Sequence, residues 1–127
     1  MKVAVIGSRS FNDYMLLSEE LKKYEISCII SGGAKGADQL AERYALKHDI
    51  PTVIFEAKWN DLSHPNAVIK KNSWGKDYDA MAGKRRNKDI VNAADCVIAF
   101  WDGKSPGTKD SIDFAKKLQK PLIVISF

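Results

Sequence analysis

Three short stretches hold residue types that could grip an anion. The first, Ile29-Ile30-Ser31-Gly32-Gly33-Ala34-Lys35-Gly36-Ala37-Asp38, runs from an apolar strand through a glycine-rich turn into a helix. A backbone that bends back on itself and admits an anion to its amides needs positive φ angles and no obstructing Cβ. Gly32, Gly33 and Gly36 meet that need, and Ser31 opens the turn. The helix that follows adds free N–H groups and the positive end of its dipole. Lys35 adds a charge, and Asp38 either fixes the first helical turn or contacts a ribose hydroxyl. The spacing G-G-x-x-G is neither the dinucleotide G-x-G-x-x-G nor the Walker sequence G-x-x-x-x-G-K-[ST]. A tight connection without a ligand is the other reading of these glycines.

The second stretch, Gly7-Ser8-Arg9-Ser10-Phe11, also closes an apolar run and offers a hydroxyl, a guanidinium and loop amides. The third is the basic cluster Lys84-Arg85-Arg86-Asn87-Lys88 at the start of a helix. An arginine fork there matches a phosphate or carboxylate, so Arg86 and Asn87 are the expected ligand contacts, with Lys84 and Lys88 as surface charges. A second glycine loop, Asp102 to Thr108, contributes Gly107 and Thr108, and Thr108 reads as the N-cap of the next helix. Solvated loop charge is the plainer reading of Arg9 and of the basic cluster.

These residues need elements to hold them. Val3-Ala4-Val5-Ile6, Ile26 to Ile30, Pro51 to Phe55, Asp95 to Trp101 and Pro121 to Ile125 are short apolar runs that read as strands. Helical patterns lie between them. One runs from about Asp13 to Lys23 with Asp13 as N-cap and Met15, Leu16, Leu17 and Leu21 inward. The next ends at His48 with Leu40, Ala41, Tyr44 and Ala45 inward, and His48 complements its dipole rather than serving catalysis. Ala82 to Ala93 and a helix reaching about Leu118 complete the set. Strand and helix in alternation predict a three-layer, Rossmann-like, doubly wound α/β domain, its five-stranded, mainly parallel sheet ordered 3-2-1-4-5. The order reverses between the first and fourth strands, and a crevice there is rimmed by the loops after strands 1, 2 and 4. Residues 56–83 break the rhythm with two tryptophans and no clear strand; Asn66 to Lys71 suggest a helical turn after Pro65. Trp59, Trp74 and Tyr78 either stack on a base or partner or anchor this insertion to the domain.

The chain has 127 residues, 45% hydrophobic and 28% charged, as expected of one globular domain spanning 1–127. No apolar run approaches the ~20 residues of a membrane span and no signal-peptide pattern opens the chain, so a cytoplasmic protein without membrane contact is expected. Cys28 and Cys96 sit in strand patterns and read as buried reduced thiols, with no metal site. A net charge of +4 suits an anionic ligand but falls short of a dedicated DNA binder.

Gly7-Ser8-Arg9-x-Phe11, Ser31 to Asp38, Ala82-Gly83-x-x-Arg86-Asn87 and Ser105-Pro106-Gly107-Thr108 together resemble the YspA/YpsA-related branch of the SLOG superfamily. The resemblance implies a Rossmann-like fold that binds nucleotides or their derivatives and frequently dimerises. It also implies kinship with the LOG phosphoribohydrolases, which cut nucleoside monophosphates at the N-glycosidic bond, and with the DprA/Smf proteins, which handle single-stranded DNA. By the same resemblance the Gly32-Gly33-Gly36 and Gly107-Thr108 loops bind phosphate, and Arg86 matches the arginine of the LOG site. Ser111 stands where LOG enzymes carry a glutamate, and a hydroxyl cannot stabilise an oxocarbenium-like transition state or activate water. The expected function is therefore a sensor or effector domain that binds a nucleotide or nucleotide derivative, its base near Trp101 or the aromatic insertion, as a homodimer and with no further cofactor. The alternative is a nucleotide N-glycosidic hydrolase in which Arg86 grips the substrate and Asp110 or Asp102 supplies the acidic group. DprA-like handling of single-stranded DNA ranks last.

Overall fold

A computed structural model describes all of residues 1–127. Strands β1 (Lys2–Gly7), β2 (Cys28–Ser31), β3 (Thr52–Ile54), β6 (Cys96–Trp101) and β7 (Leu122–Ser126) form one sheet, and helices α1 (Tyr14–Leu21), α2 (Ala37–Lys47), α3 (Ala82–Ala93) and α4 (Pro106–Lys117) cover it. The strand order is β3-β2-β1-β6-β7 and every pairing is parallel, which is the expected doubly wound order.

Side-chain alternation along the strands sorts the core into two layers. Val3, Val5, Ile29, Ile98 and Phe100 face Leu17 and Leu21 of α1 and Ala41, Tyr44 and Ala45 of α2. Ala4, Ile6, Ile30, Val97 and Ala99 face Ile90 and Val91 of α3 and Ile112 and Ala115 of α4. Both faces being covered explains why β1 and β6 are continuous apolar runs. The inner face of α1 differs from expectation: Leu17 and Leu21 are buried, while Met15 is 70% exposed. Asp13 does cap α1, its carboxylate accepting from the Leu16 amide. His48 follows α2 and stacks on Tyr44, ring centroids 4.2 Å apart. Cys96 is buried, but Cys28 is only half-buried; neither is in a disulfide.

The stretch after β3 holds a small antiparallel hairpin, β4 (Ile69–Lys71) with β5 (Asp77–Asp79), where sequence reading found no strand. The helical turn expected over Asn66 to Lys71 gives way to β4, because the turn between the strands is built by Asn72 and Gly75. The Asn72 carboxamide accepts from the Trp74 and Lys76 amides, and Gly75 takes φ +76°. The hairpin is tied down at its root. Fully buried Asp79 pairs with Arg85 and also accepts from the amides of Val68 and Met81. Trp59 lies against Gly83 and meets Tyr78 edge-on, so it anchors the insertion, whereas Trp74 at the hairpin tip is 85% exposed.

Candidate functional site

Parallel strands put the loops after β1, β2 and β6, and the helix starts that follow them, at one edge of the sheet. Glycine lets the first two loops touch. A Cβ on Gly36, which has φ +81°, would fall 2.4 Å from the Ser8 carbonyl oxygen and 2.7 Å from that of Arg9. One on Gly7 would fall 2.5 Å from the Ala37 Cβ. The glycines of this motif thus serve loop-to-loop contact as much as access for a guest.

Between the loops lies a cavity of about 110 Å³ lined by Ile6, Gly7, Arg9, Ala34, Asp38, Arg86, Asn87, Ile90, Ser105, Gly107, Thr108 and Ser111. Arg9, Ser105 and Gly107 also border a wider depression of about 470 Å³, whose other walls are Ser8, Ser10, Asp102 and Pro106. The two spaces adjoin across these shared residues.

Arg86 enters from the first turns of α3. Its Nη1 donates to the carbonyls of Gly32 at 2.7 Å and Phe55 at 3.4 Å, and its Nε donates to Asn87 Oδ1 at 2.9 Å. Asn87 Nδ2 then reaches the Gly107 carbonyl at 3.3 Å, linking α3 to α4. Burial lowers the Arg86 guanidinium, the Asp38 carboxylate opposes that shift, and Arg9 lowers it further, so the two arginines feel each other across the cavity. Arg9 itself is exposed and has no carboxylate partner. Asp38 accepts from the Ala34 amide at 3.1 Å, and burial pushes its carboxyl up to about 6 despite that bond and the nearby Arg86.

Helix α4 supplies the opposite wall. It begins two residues before Thr108, at Pro106, because proline at the first helical position brings a pre-set φ and no N–H to satisfy. Ser105 is therefore the N-cap, and the expectation that Thr108 caps the helix is corrected. Ser105 makes no side-chain capping bond, and the amides of Gly107 and Thr108 donate to no group of the protein. The hydroxyls of Ser105 and Thr108 lie 3.3 Å apart.

The structure thus gathers Gly7, Arg9, Asp38, Arg86, Asn87, Gly107 and Thr108 around the cavity, with Ser8 on the adjoining depression. Other candidates lie outside. Gly32 sits beneath Arg86, and a Cβ there would meet Nη1 at 2.7 Å. Ser31 is buried and its hydroxyl accepts from the Gly33 amide, shaping the turn; Gly33 and Lys35 are exposed and Gly36 is packed under the first loop. Trp101 lines neither space, and its indole N–H holds the Ser105 carbonyl at 3.1 Å. Asp110 faces Lys84 at 3.8 Å, away from the cavity. Asp102 borders the wider depression; its Oδ1 accepts from the amides of Lys104 and Ser105, which hold its carboxyl below the usual range. Sequence reading missed Ala34 and Ser105 as wall residues, and it named Ser111 only as the residue that stands where LOG enzymes carry a glutamate. Ser111 was legible in principle, being one helical turn beyond Thr108 on the same face.

Residues 1–61 match the family model described as YspA, cpYpsA-related SLOG family. Over 96% of its length the chain is 29% identical to the Gene 61 protein of Mycobacterium phage D29, covering 94% of that protein. DNA processing protein A from Helicobacter pylori, from a study of its single-stranded DNA binding mode, superposes with a TM-score of 0.68 at 28% identity over 98% of this chain. DNA processing protein A (DprA) from Streptococcus pneumoniae superposes with a TM-score of 0.74 at 22% identity over 99% of this chain, a likeness of fold. The chain spans 64% and 50% of those two structures. No helix is long and apolar enough to cross a membrane.

Proposed function

We propose that this chain, a SLOG-type domain of the YspA, cpYpsA-related branch, binds a nucleotide or nucleotide derivative with its phosphate in the cavity between Arg9, Arg86 and the start of α4. One observation carries the reading. Arg9 and Arg86 face the same small space, beside two helix-start amides that the protein leaves without acceptors. Like charges that close repel each other, and an anion between them turns that cost into attraction. The helix dipole adds in the same sense. A thermal-shift panel of phosphate compounds tests this: nucleoside monophosphates raise the melting temperature, and Arg9→Ala, whose side chain holds nothing else together, abolishes the rise while the protein stays folded. An undiminished rise in that variant would refute the assignment.

Asp38 gives a second reading its footing. A carboxyl pushed up to about 6 inside the cavity is poised for proton transfer near neutral pH, as glycosidic cleavage requires. This displaces Asp110 and Asp102 as the preferred acidic group. Incubating the protein in excess with nucleoside monophosphates releases free base if the reading is right; intact nucleotide rejects it. Single-stranded DNA, bound by the Helicobacter pylori protein, is a third reading, which a net charge of +4 supports weakly. Retention of an oligonucleotide that does not fall with added salt would argue against it.

A further inference from the structure

We infer that the β4–β5 hairpin is a binding surface separate from the cavity, one that takes single-stranded nucleic acid by stacking an unpaired base on Trp74 and holding the flanking phosphates with Lys70 and Lys76. The inference rests on the single-strand reading above, gives it a place on this chain, and is independent of the phosphate cavity. Trp74 is the most exposed of the large apolar side chains, at 85%. The turn that carries it is closed without the ring. The Asn72 carboxamide accepts from the Trp74 amide at 2.9 Å and the Lys76 amide at 3.1 Å, and the Gly75 amide donates to the Asn72 carbonyl at 3.0 Å. Below the turn, buried Asp79 anchors the stem to Arg85. The indole therefore stands on a fixed support, and binding has little left to order.

Charge on the hairpin complements a phosphate backbone. Residues 68–78 carry three lysines and a single acid, Asp77. Asp77 is taken by Lys71 at 3.1 Å, whereas Lys70 and Lys76 are exposed and pair with no carboxylate. Alternation along the strands sets Lys70 beside Tyr78, on the opposite face from the Lys71–Asp77 pair. Tyr78 meets Trp59, itself 40% exposed, so a free cation and aromatic rings share one face of the stem. Flat rings beside free cations match a strand of unpaired bases and phosphates. A bilayer matches less well. Exposed Val68 and Ile69 lie at the far end of the stem from Trp74, whose neighbours Asn72 and Ser73 are polar, so no apolar cluster enters a membrane together. A duplex keeps its bases stacked on one another and offers the indole none without unstacking.

Fluorescence anisotropy of a labelled oligothymidylate of about 16 nucleotides, titrated with the whole chain, tests the inference. Trp74→Ala is expected to weaken binding about tenfold, the loss of one stacked base, while Trp74→Phe, which keeps a ring, weakens it by less than about threefold. Both variants retain the Trp74 backbone amide that the turn uses, and neither should change the thermal shift given by a nucleoside monophosphate. Lys70→Gln combined with Lys76→Gln lowers the slope of log affinity against log salt by about 1.4, as expected when two phosphate contacts are lost. An oligonucleotide held equally by the parent and by Trp74→Ala, but lost in Arg9→Ala, places the strand in the cavity and overturns the inference while the single-strand reading stands. Equal affinity for a duplex of the same length overturns the stacking of an unpaired base. No oligonucleotide bound by the parent overturns both the inference and the single-strand reading. If that same protein gathers on vesicles containing phosphatidylserine, and Trp74→Ala does not, the hairpin is a membrane contact instead.

Discussion

Arg9 and Arg86 differ in what they hold when no ligand is bound. Arg86 bridges the Gly32 and Phe55 carbonyls and neighbours Asp38, so Arg86→Ala removes charged hydrogen bonds worth about 2 kcal/mol of stability in addition to any ligand contact. Arg9→Ala is expected to leave urea stability within about 0.5 kcal/mol of the parent, as for an exposed side chain without partners. Equal losses in the two denaturation curves would contradict this division. Asp38 gives a pH dependence whose sign is unusual for a carboxylate. Its folded value of about 6 lies above the ordinary value of 3.8, so between them the folded protein holds more protons than the unfolded chain. The associated stabilisation is complete below pH 4 and is lost as pH rises through 6, an effect on the order of 3 kcal/mol. Asp38→Asn should flatten that slope, read from urea midpoints between pH 4 and 7. An unchanged slope would mean that another group carries it.

At the scale of elements, the loop contacts and the hairpin root are where the structure is least tolerant. Gly36→Ala sets a Cβ 2.4 Å from a backbone oxygen in a left-handed conformation, so a destabilisation of more than about 1 kcal/mol is expected, along with loss of the cavity's shape. A stability equal to the parent's would show that the two loops part easily. Asp79→Ala leaves Arg85 without its carboxylate and two amides without their acceptor, at a cost of about 3 kcal/mol. Faster amide exchange over residues 66–81 than over β1 and β6 would localise that loss to the hairpin; uniform loss would mean that the hairpin and the main sheet unfold together.

For the molecule as a whole, binding and stability are linked by mass action. A ligand at a hundred times its Kd adds about 2.7 kcal/mol, and neutralising Asp38 removes a negative charge from the cavity. The stabilisation by a nucleoside monophosphate at fixed concentration should therefore grow, relative to that measured in Asp38→Asn, as pH falls from 7 toward 6, since the phosphate's own proton uptake near pH 6 is common to both proteins. The same pH dependence in both proteins, measured by thermal shift, would detach Asp38 from the anion.

Periodicity located the five strands of the main sheet and the four helices, because each short apolar run must be buried on both faces, while the strand order expected of such an alternation is the one the fold adopts. Arg9, Arg86, Asn87, Gly107 and Thr108 were legible for the same reason, as a parallel sheet sends the ends of its strands to one edge. Three things waited on the fold. The hairpin rests on one asparagine carboxamide and one glycine, too local a signal for periodicity. Whether a glycine faces a ligand or another loop depends on chain segments far away in sequence, as Gly36 against Ser8 and Gly32 against Arg86 illustrate. The place of Trp101, behind Ser105 rather than beside the cavity, followed from a single indole hydrogen bond that only the closed tertiary structure could form.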